Sequence, residues 1–491
     1  MSETARTRGA TGADRERRGR AYVLDSHAWR SRDGSVLVGG TPGRLVRLSA
    51  AGAAALDRLL APDADPAPAP AVDALAARLT AAGLLHPVGR GADVALTTVI
   101  PVRDGGPALA ELVAALTGQG EVIVVDDGSR DGSPAAAGAV GARVIANAGA
   151  AGPAGARNSG LAAARTELVA FLDADCRAAP GWAAPLAGLL VADPGLALAA
   201  PRVRSAPGEG RVARYETARS PLDMGGDPAR IGPGRRVAYV PSAALVARRE
   251  ALESVAGFDE RLTVGEDVDL VLRLIDAGWT ARYAPEAEVL HRPRTDWRAL
   301  ARQRYGYGTS AAPLQRRHPG ATAPLRANPH TATAWLAGAA LGWRGAAGAT
   351  ALSALRAAAA GDRTEVRLAL AGAAARGHLH ATGQLARAAT REWLPLTLAA
   401  CAVSRRARRC ATGALAVALL GDRRPGARPL DPLSYAALTV VDRTAYCAGL
   451  WRGAVGERSL AALAPAPQAK APVGFSPSIS SSARLRSRPP V

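Results

Sequence analysis

At 491 residues the chain is too long for one ordinary core, and two or three domains are expected. Its 61 basic residues are almost all arginine, with Lys470 the sole lysine, and they exceed the 42 acidic ones by enough to leave a formal charge of +19, which suits an anionic membrane surface or a nucleotide-phosphate substrate. Aromatic residues make up only 4%, which argues against a stacking platform for nucleic acid, and the cysteines Cys176, Cys401, Cys410 and Cys447 contain no CxxC pair, which argues against a zinc cage or a disulfide framework.

Residues 1–20 are Arg-rich, lack an apolar core segment and read as a disordered arm and not as a secretory signal, in keeping with a reducing, cytoplasmic compartment. Residues 21–90 form a self-contained unit. AYVLD and SVLVGG alternate like short strands, LVRLSAAGAAALDRLL has helical spacing with Ser49 as its cap, and AVDALAARLTAAGLLHPV runs from helix to strand after a Pro/Ala/Asp spacer. This layout predicts a small winged-helix-like module or, equally, a cap packed on the next domain.

Across residues 94–320 the rhythm changes to short apolar runs, ALTTVIPV, EVIVVDD, ARVIAN and ELVAFLDAD, with Ala-rich helical stretches between them. Such alternation predicts an α/β domain on an open parallel sheet, whose ligands collect at the carboxyl ends of the strands. Residues 321–463 turn helical. Their longest uncharged runs, 327–343 and 393–404, are too short to span a bilayer, and RRARR at 405–409 follows the second, so the region is either an interfacial helical hairpin at an anionic surface or a soluble helical bundle. The Pro/Ser/Ala-rich tail at 464–491 is expected to be disordered.

Four stretches of the middle region carry the polar residues that chemistry needs. TTVIPVRDGG stops a strand at Pro101 and turns over Asp104; EVIVVDDGS ends a strand on Asp126 and Asp127, placed to accept a hydrogen bond from a uracil imide or a ribose hydroxyl. In GPAGARNSGLAAA a helix opens near Arg157, whose guanidinium would add a charge-assisted contact to a phosphate at the helix N-terminus. FLDADC then presents Asp173 and Asp175 one residue apart; an alternating strand would put both on one face, where repulsion calls for Mg²⁺, Mn²⁺ or water. GEDVDLVLRLIDAG places Glu266 and Asp267 in the first turn of an amphipathic helix, where a carboxylate is either a helix-start residue or a base for an acceptor hydroxyl. His291, in EVLHRP, either approaches the metal or is a hydrogen-bonded structural histidine.

The order VIPV, VVDDGS, ARNSGLAAA, DAD and GEDVDL over about 200 residues resembles the inverting family 2 glycosyltransferases with a GT-A fold. The resemblance implies nucleoside contacts from Pro101, Asp104, Asp126 and Asp127, a diphosphate contact from Arg157, and a DxD metal motif in Asp173 and Asp175 with His291 nearby. It also implies a catalytic base in Asp267 with Glu266 beside it. Processive members carry QxxRW after the base; WRALARQRYGYG supplies Arg302, Gln303, Arg304 and Tyr305 without that spacing. The N-terminal module resembles the PqqD-like peptide-recognition fold, and the three regions together resemble the glycosyltransferases of the mycofactocin system. That likeness implies a UDP-glucose donor and a peptide-derived redox cofactor as acceptor, extended as a short β-linked chain. A transferase acting on a cell-envelope lipid or polysaccharide, peripheral at the inner face of the membrane, and a non-catalytic sugar-nucleotide or peptide-binding scaffold are the alternatives.

Overall fold

A computed structural model describes residues 21–62, 69–147, 152–421 and 430–468. The expected arm at 1–20 lies outside these residues.

The N-terminal module is built from strands β1 (Tyr22–Leu24), β2 (Trp29–Arg30), β3 (Val36–Gly39) and β4 (Arg44–Arg47), helices α1 (Ala50–Leu60) and α2 (Pro70–Ala81), and β5 (Leu85–Pro87). β1 pairs with β5, and β2, β3 and β4 form a separate antiparallel sheet. Ser49 caps α1 as expected, its side chain accepting from the Gly52 amide. The LVR that precedes it is strand and not helix: Arg44–Arg47 pairs residue for residue with Val36–Gly39, and that ladder overrides the apparent helical spacing. Asp25 anchors the module to the next domain. It meets His86 at 2.9 Å and is clasped by Arg236, which also donates to His27 at 2.7 Å.

The second domain holds β6 (Leu96–Val102), α3 (Pro107–Leu116), β7 (Glu121–Asp126), α4 (Ser133–Ala139), β8 (Arg143–Ala146), α5 (Gly152–Ala163), β9 (Leu168–Leu172), β10 (Cys176–Ala178), α6 (Ala184–Ala192) and β11 (Leu196–Ser205). It continues with α7 (Gly210–Arg219), β12 (Ala229–Arg230), β13 (Ala244–Arg248), α8 (Arg249–Ser254), α9 (Glu266–Asp276), β14 (Thr280–His291) and α10 (Trp297–Arg317). The nine-stranded sheet runs β10-β14-β11-β13-β9-β6-β7-β8, with β12 beside β14. From β9 to β8 it is parallel, as the apolar runs predict. Beyond β9 it is mixed: β13 is antiparallel to both neighbours, and β10 to β14.

Both faces of the parallel half are covered. Ile100, Val124 and Leu172 point into one core with α3 and α6, whereas Val99, Ile123 and Phe171 point into the other with α5 and α9. α5 presses so closely on β6 that a Cβ at Gly160 would stand 2.2 Å from Val99 Cγ1.

The helical region comprises α11 (Pro329–Leu341), α12 (Trp343–Ala358), α13 (Thr364–Thr390), α14 (Leu394–Val403), α15 (Arg405–Gly421) and α16 (Pro432–Gly456). Among the described residues no helix is long and apolar enough to cross a membrane. α16 lies along α10 backbone to backbone: a Cβ on Gly308 would meet the Tyr446 carbonyl at 2.2 Å, and one on Gly449 the Tyr305 carbonyl at 2.0 Å. The expected tail differs at its start, because Ala466–Pro467 pairs in parallel with Arg326–Ala327; residues 469–491 lie outside the described residues.

Candidate active site

The site lies where β6, β7 and β9 end, and the loops after β6 and β7 are tied to each other by their own side chains. After β6, Asp104 adopts φ 56° and its Oδ1 accepts from the Arg130 amide at 2.7 Å, while Ser129 and Ser133 accept from the amides of Asp104 and Gly105. Asp104 stays exposed and Asp126 partly so, Asp126 accepting from the Ser129 amide at 2.8 Å. Asp127 is buried; its Oδ1 accepts from Asn147 at 2.6 Å and from the Gly152 amide at 3.3 Å, and among the described residues no hydrogen bond is made to Oδ2. Pro101 is part of the β6–β7 ladder, so it sets the strand end from which Asp104 departs.

Asp173 and Asp175 do not alternate along a strand. They sit in the turn between β9 and β10, and their carboxylates diverge toward separate cations, which removes the repulsion expected of a shared face. Asp173 Oδ1 receives Arg157 Nη2 at 2.8 Å. Asp175 Oδ1 lies 3.2 Å from His291 Nε2, and Oδ2 lies 3.6 Å from Arg294. His291 arrives because β10 and β14 pair with Cys176 opposite it. Burial alone would raise the Asp175 carboxyl, but the His291 hydrogen bond and charge, with Arg294, hold it below its ordinary value; burial would lower His291, and Asp175 raises it instead. Among the described residues no group of three or more His, Cys, Asp or Glu side chains is assembled around one point for a metal.

Arg157 differs most from expectation. It lies inside α5, buried, and not at a helix end open to phosphate; its Nη1 donates to Glu266 Oε1 at 2.9 Å while Nη2 serves Asp173. Its guanidinium stands 5.5 Å over the Phe258 ring. A cation this deep in the fold needs carboxylate partners, and it finds one from each motif.

Glu266 and Asp267 open α9, as predicted. Asp267 Oδ2 accepts from the Ser242 amide at 3.2 Å and Oδ1 from the Val268 amide at 2.8 Å. Burial raises both carboxyls above their usual range, and for Glu266 the Asp267 charge adds to it. The third carboxylate of the motif, Asp269, is structural: it binds Arg273 at 2.7 Å, Arg317 at 3.1 Å and His318 at 2.9 Å, fastening α9 to the far end of α10.

Two tyrosines that feel the Asp267 charge, Tyr239 and Tyr307, and an Arg391–Tyr446 pair linked electrostatically to Tyr239 lie outside the residues expected from sequence. Tyr239, three residues before Ser242, is 41% exposed, yet its phenol is raised by the surrounding protein and by the Asp267 charge. Tyr307 on α10 is likewise raised by burial and feels Asp267. Arg391 lies 4.3 Å over the Tyr446 ring, whose phenol burial pushes up to about 12. These side chains come from four distant segments, so no local spacing announces them. Arg304 is buried, bound by Glu216 at 2.8 Å and by Asp442 at 3.4 Å, and its guanidinium stands 5.8 Å over the Tyr307 ring.

Residues 97–255 match the model of "Glycosyl transferase family 2". The pre-mycofactocin glycosyltransferase of Mycobacterium tuberculosis (strain CDC 1551 / Oshkosh) is 42% identical over 452 residues, 88% of this chain and 94% of that protein. The chain belongs to glycosyl transferase family 2, and it is a glycosyltransferase on a GT-A fold with a helical C-terminal region. Among solved structures, a mannosyltransferase from Pyrobaculum calidifontis, in complex with GDP-Man and Mn²⁺, is 18% identical over 73% of this chain and 87% of its own, with a TM-score of 0.42. Glucosyl-3-phosphoglycerate synthase from Mycobacterium tuberculosis, in complex with Mn²⁺, UDP and glucosyl-3-phosphoglycerate, is 23% identical over 46% of this chain and 80% of its own, with a TM-score of 0.32.

Proposed function

We propose that the chain moves glucose from UDP-glucose to the peptide-derived precursor of mycofactocin, with inversion at the anomeric carbon. The observation that carries this reading is the 42% identity to a pre-mycofactocin glycosyltransferase along nearly the whole of both chains. The N-terminal module takes the peptide-recognition role that its PqqD-like layout implies. Asp104, Asp126 and Oδ2 of Asp127 bind the nucleoside.

Asp267 carries the proton chemistry. Its carboxylate accepts the proton of the acceptor hydroxyl as that oxygen forms the new bond to the anomeric carbon, and the bond to the diphosphate breaks on the opposite side to release UDP. The Ser242 and Val268 amides hold its two oxygens, which aims the remaining lone pairs without neutralising the charge. Burial raises its affinity for the proton, which improves a carboxylate as a base. Arg157 keeps Glu266 and Asp173 in register beneath it. Tyr239, Tyr307 and the Arg391–Tyr446 pair flank the acceptor.

The family resemblance implies that Asp173 and Asp175, with His291 nearby, would hold Mg²⁺ or Mn²⁺, which requires their carboxylates to turn from Arg157 and His291 toward one point, since no three-ligand group is assembled among the described residues. Carboxylate oxygens suit either ion, and the 3.2 Å contact between Asp175 and His291 is an ion pair that the metal would have to displace. When bound, the ion supplies positive charge against the leaving diphosphate.

The test is incubation of the full chain with UDP-glucose and the mycofactocin precursor, read by mass spectrometry for hexose increments and by NMR for anomeric configuration. A β-linked product on that acceptor is expected. Retention of configuration would overturn the single displacement; transfer confined to lipid acceptors would overturn the acceptor.

A further inference from the structure

Among the described residues, the helical region leaves a set of apolar side chains exposed. α12 and α14 contain no buried residue. α14, LPLTLAACAV, bears no charge, yet its Val403 is 88% exposed. Isolated exposed leucines need no explanation, but a contiguous set does.

These groups meet at one corner. Arg406 Nη2 donates to the Gly338 carbonyl at 3.3 Å, bringing the start of α15 against α11 next to its exposed end at Leu341. Trp343 follows at once, 76% exposed, with the Arg344 guanidinium 5.6 Å over its ring. From Val403 the chain passes through Ser404 into Arg405, Arg406, Arg408 and Arg409, all exposed. Over residues 329–421 the sequence holds eleven arginines against Asp362, Glu365 and Glu392. Asp362 is drawn to Arg47 at 3.5 Å and Glu392 to Arg391, so neither neutralises the corner.

The cover must accept apolar side chains to shallow depth and offer negative charge. A second copy would set like charge against like, because a two-fold contact repeats the same patch on both sides. No described helix can enter as a span, which leaves an interface-parallel arrangement, indole and aliphatic groups at headgroup depth with guanidinium groups on lipid phosphates. We propose that the corner of Leu341, Trp343, Val403 and the basic run 405–409 docks this enzyme on the surface of an anionic bilayer.

The full chain is to be co-sedimented with vesicles of phosphatidylcholine alone and of phosphatidylcholine with phosphatidylglycerol. Binding to the anionic vesicles, reversed by high salt, is expected. Each arginine of 405–409 changed to Gln should weaken it by about fivefold, and Trp343→Ala with Val403→Ser should weaken it further, both with unchanged circular dichroism. Equal binding to both vesicle types, or none, overturns the proposal. So does a concentration-dependent dimer in light scattering that the same substitutions abolish. Sugar transfer to a soluble acceptor is measured separately, so the catalytic reading and this one fail independently.

Discussion

Arg157 Nη2 lies 2.8 Å from Asp173 Oδ1, so the residue expected to meet a diphosphate is already held by the motif expected to bind the metal. Its other arm reaches Glu266, beside the base. Arg157→Met should leave Glu266 buried without its cation, costing about 3 kcal/mol, with a corresponding fall in melting temperature. Arg157→Lys preserves the charge but cannot bridge two carboxylates, and should keep most stability while losing turnover. Thermal melts beside kcat for both variants check this.

Asp267→Asn should lower kcat by about 10²–10⁴-fold, because an amide cannot take the proton of the acceptor hydroxyl. UDP titration should show donor binding close to that of the unaltered chain. Normal turnover in the variant would remove Asp267 from its role.

The pH profile follows from the same group. Burial raises the Asp267 carboxyl, so the basic form is lost at a higher pH than for an ordinary carboxylate. The acid limb of kcat/KM is therefore expected above the usual carboxylate range, and Asp267→Glu should move it. A limb at the value of a solvated carboxyl contradicts the assignment.

Asp25 behaves oppositely. Burial would raise it, but His86 and Arg236 overcome that and hold it below its unfolded value. The stability this contributes is present above the unfolded pKa and is lost as pH falls through the folded one. Arg236→Ala should cost about 2 kcal/mol and loosen the N-terminal module, read as faster amide exchange in 22–24 and 85–87 with little change in β6.

Gly160→Val should be worse than its small volume suggests, since any Cβ there enters Val99 on the neighbouring strand. A loss of about 1–3 kcal/mol or more in chemical denaturation is expected.

The parallel half of the sheet was legible because its strands are buried on both faces and read as unbroken apolar runs. The antiparallel insertion of β13 was not, since strand order and direction come from pairing across some 75 residues. Glu266 and Asp267 were placed correctly in a first turn, their glycine and amphipathic pattern being local signals. The DAD turn was misread, because a two-residue period past Leu172 cannot reveal that the strand has stopped. Arg157 was read as a helix-start cation; only the fold shows that Glu266, 109 positions away, comes to meet it. Tyr239, Tyr307, Arg391 and Tyr446 come from four segments far apart in the chain, so no local spacing links them.

The backbone-to-backbone seating of α16 on α10 reaches beyond packing. α10 ends on Arg317, His318 follows it, and both grip Asp269 two residues after the base. A chain shortened before Leu430 would therefore lose more than an appendage. It would strip the backing from the strut that steadies Asp267, and such truncations should yield protein that still binds nucleotide while sugar transfer slackens.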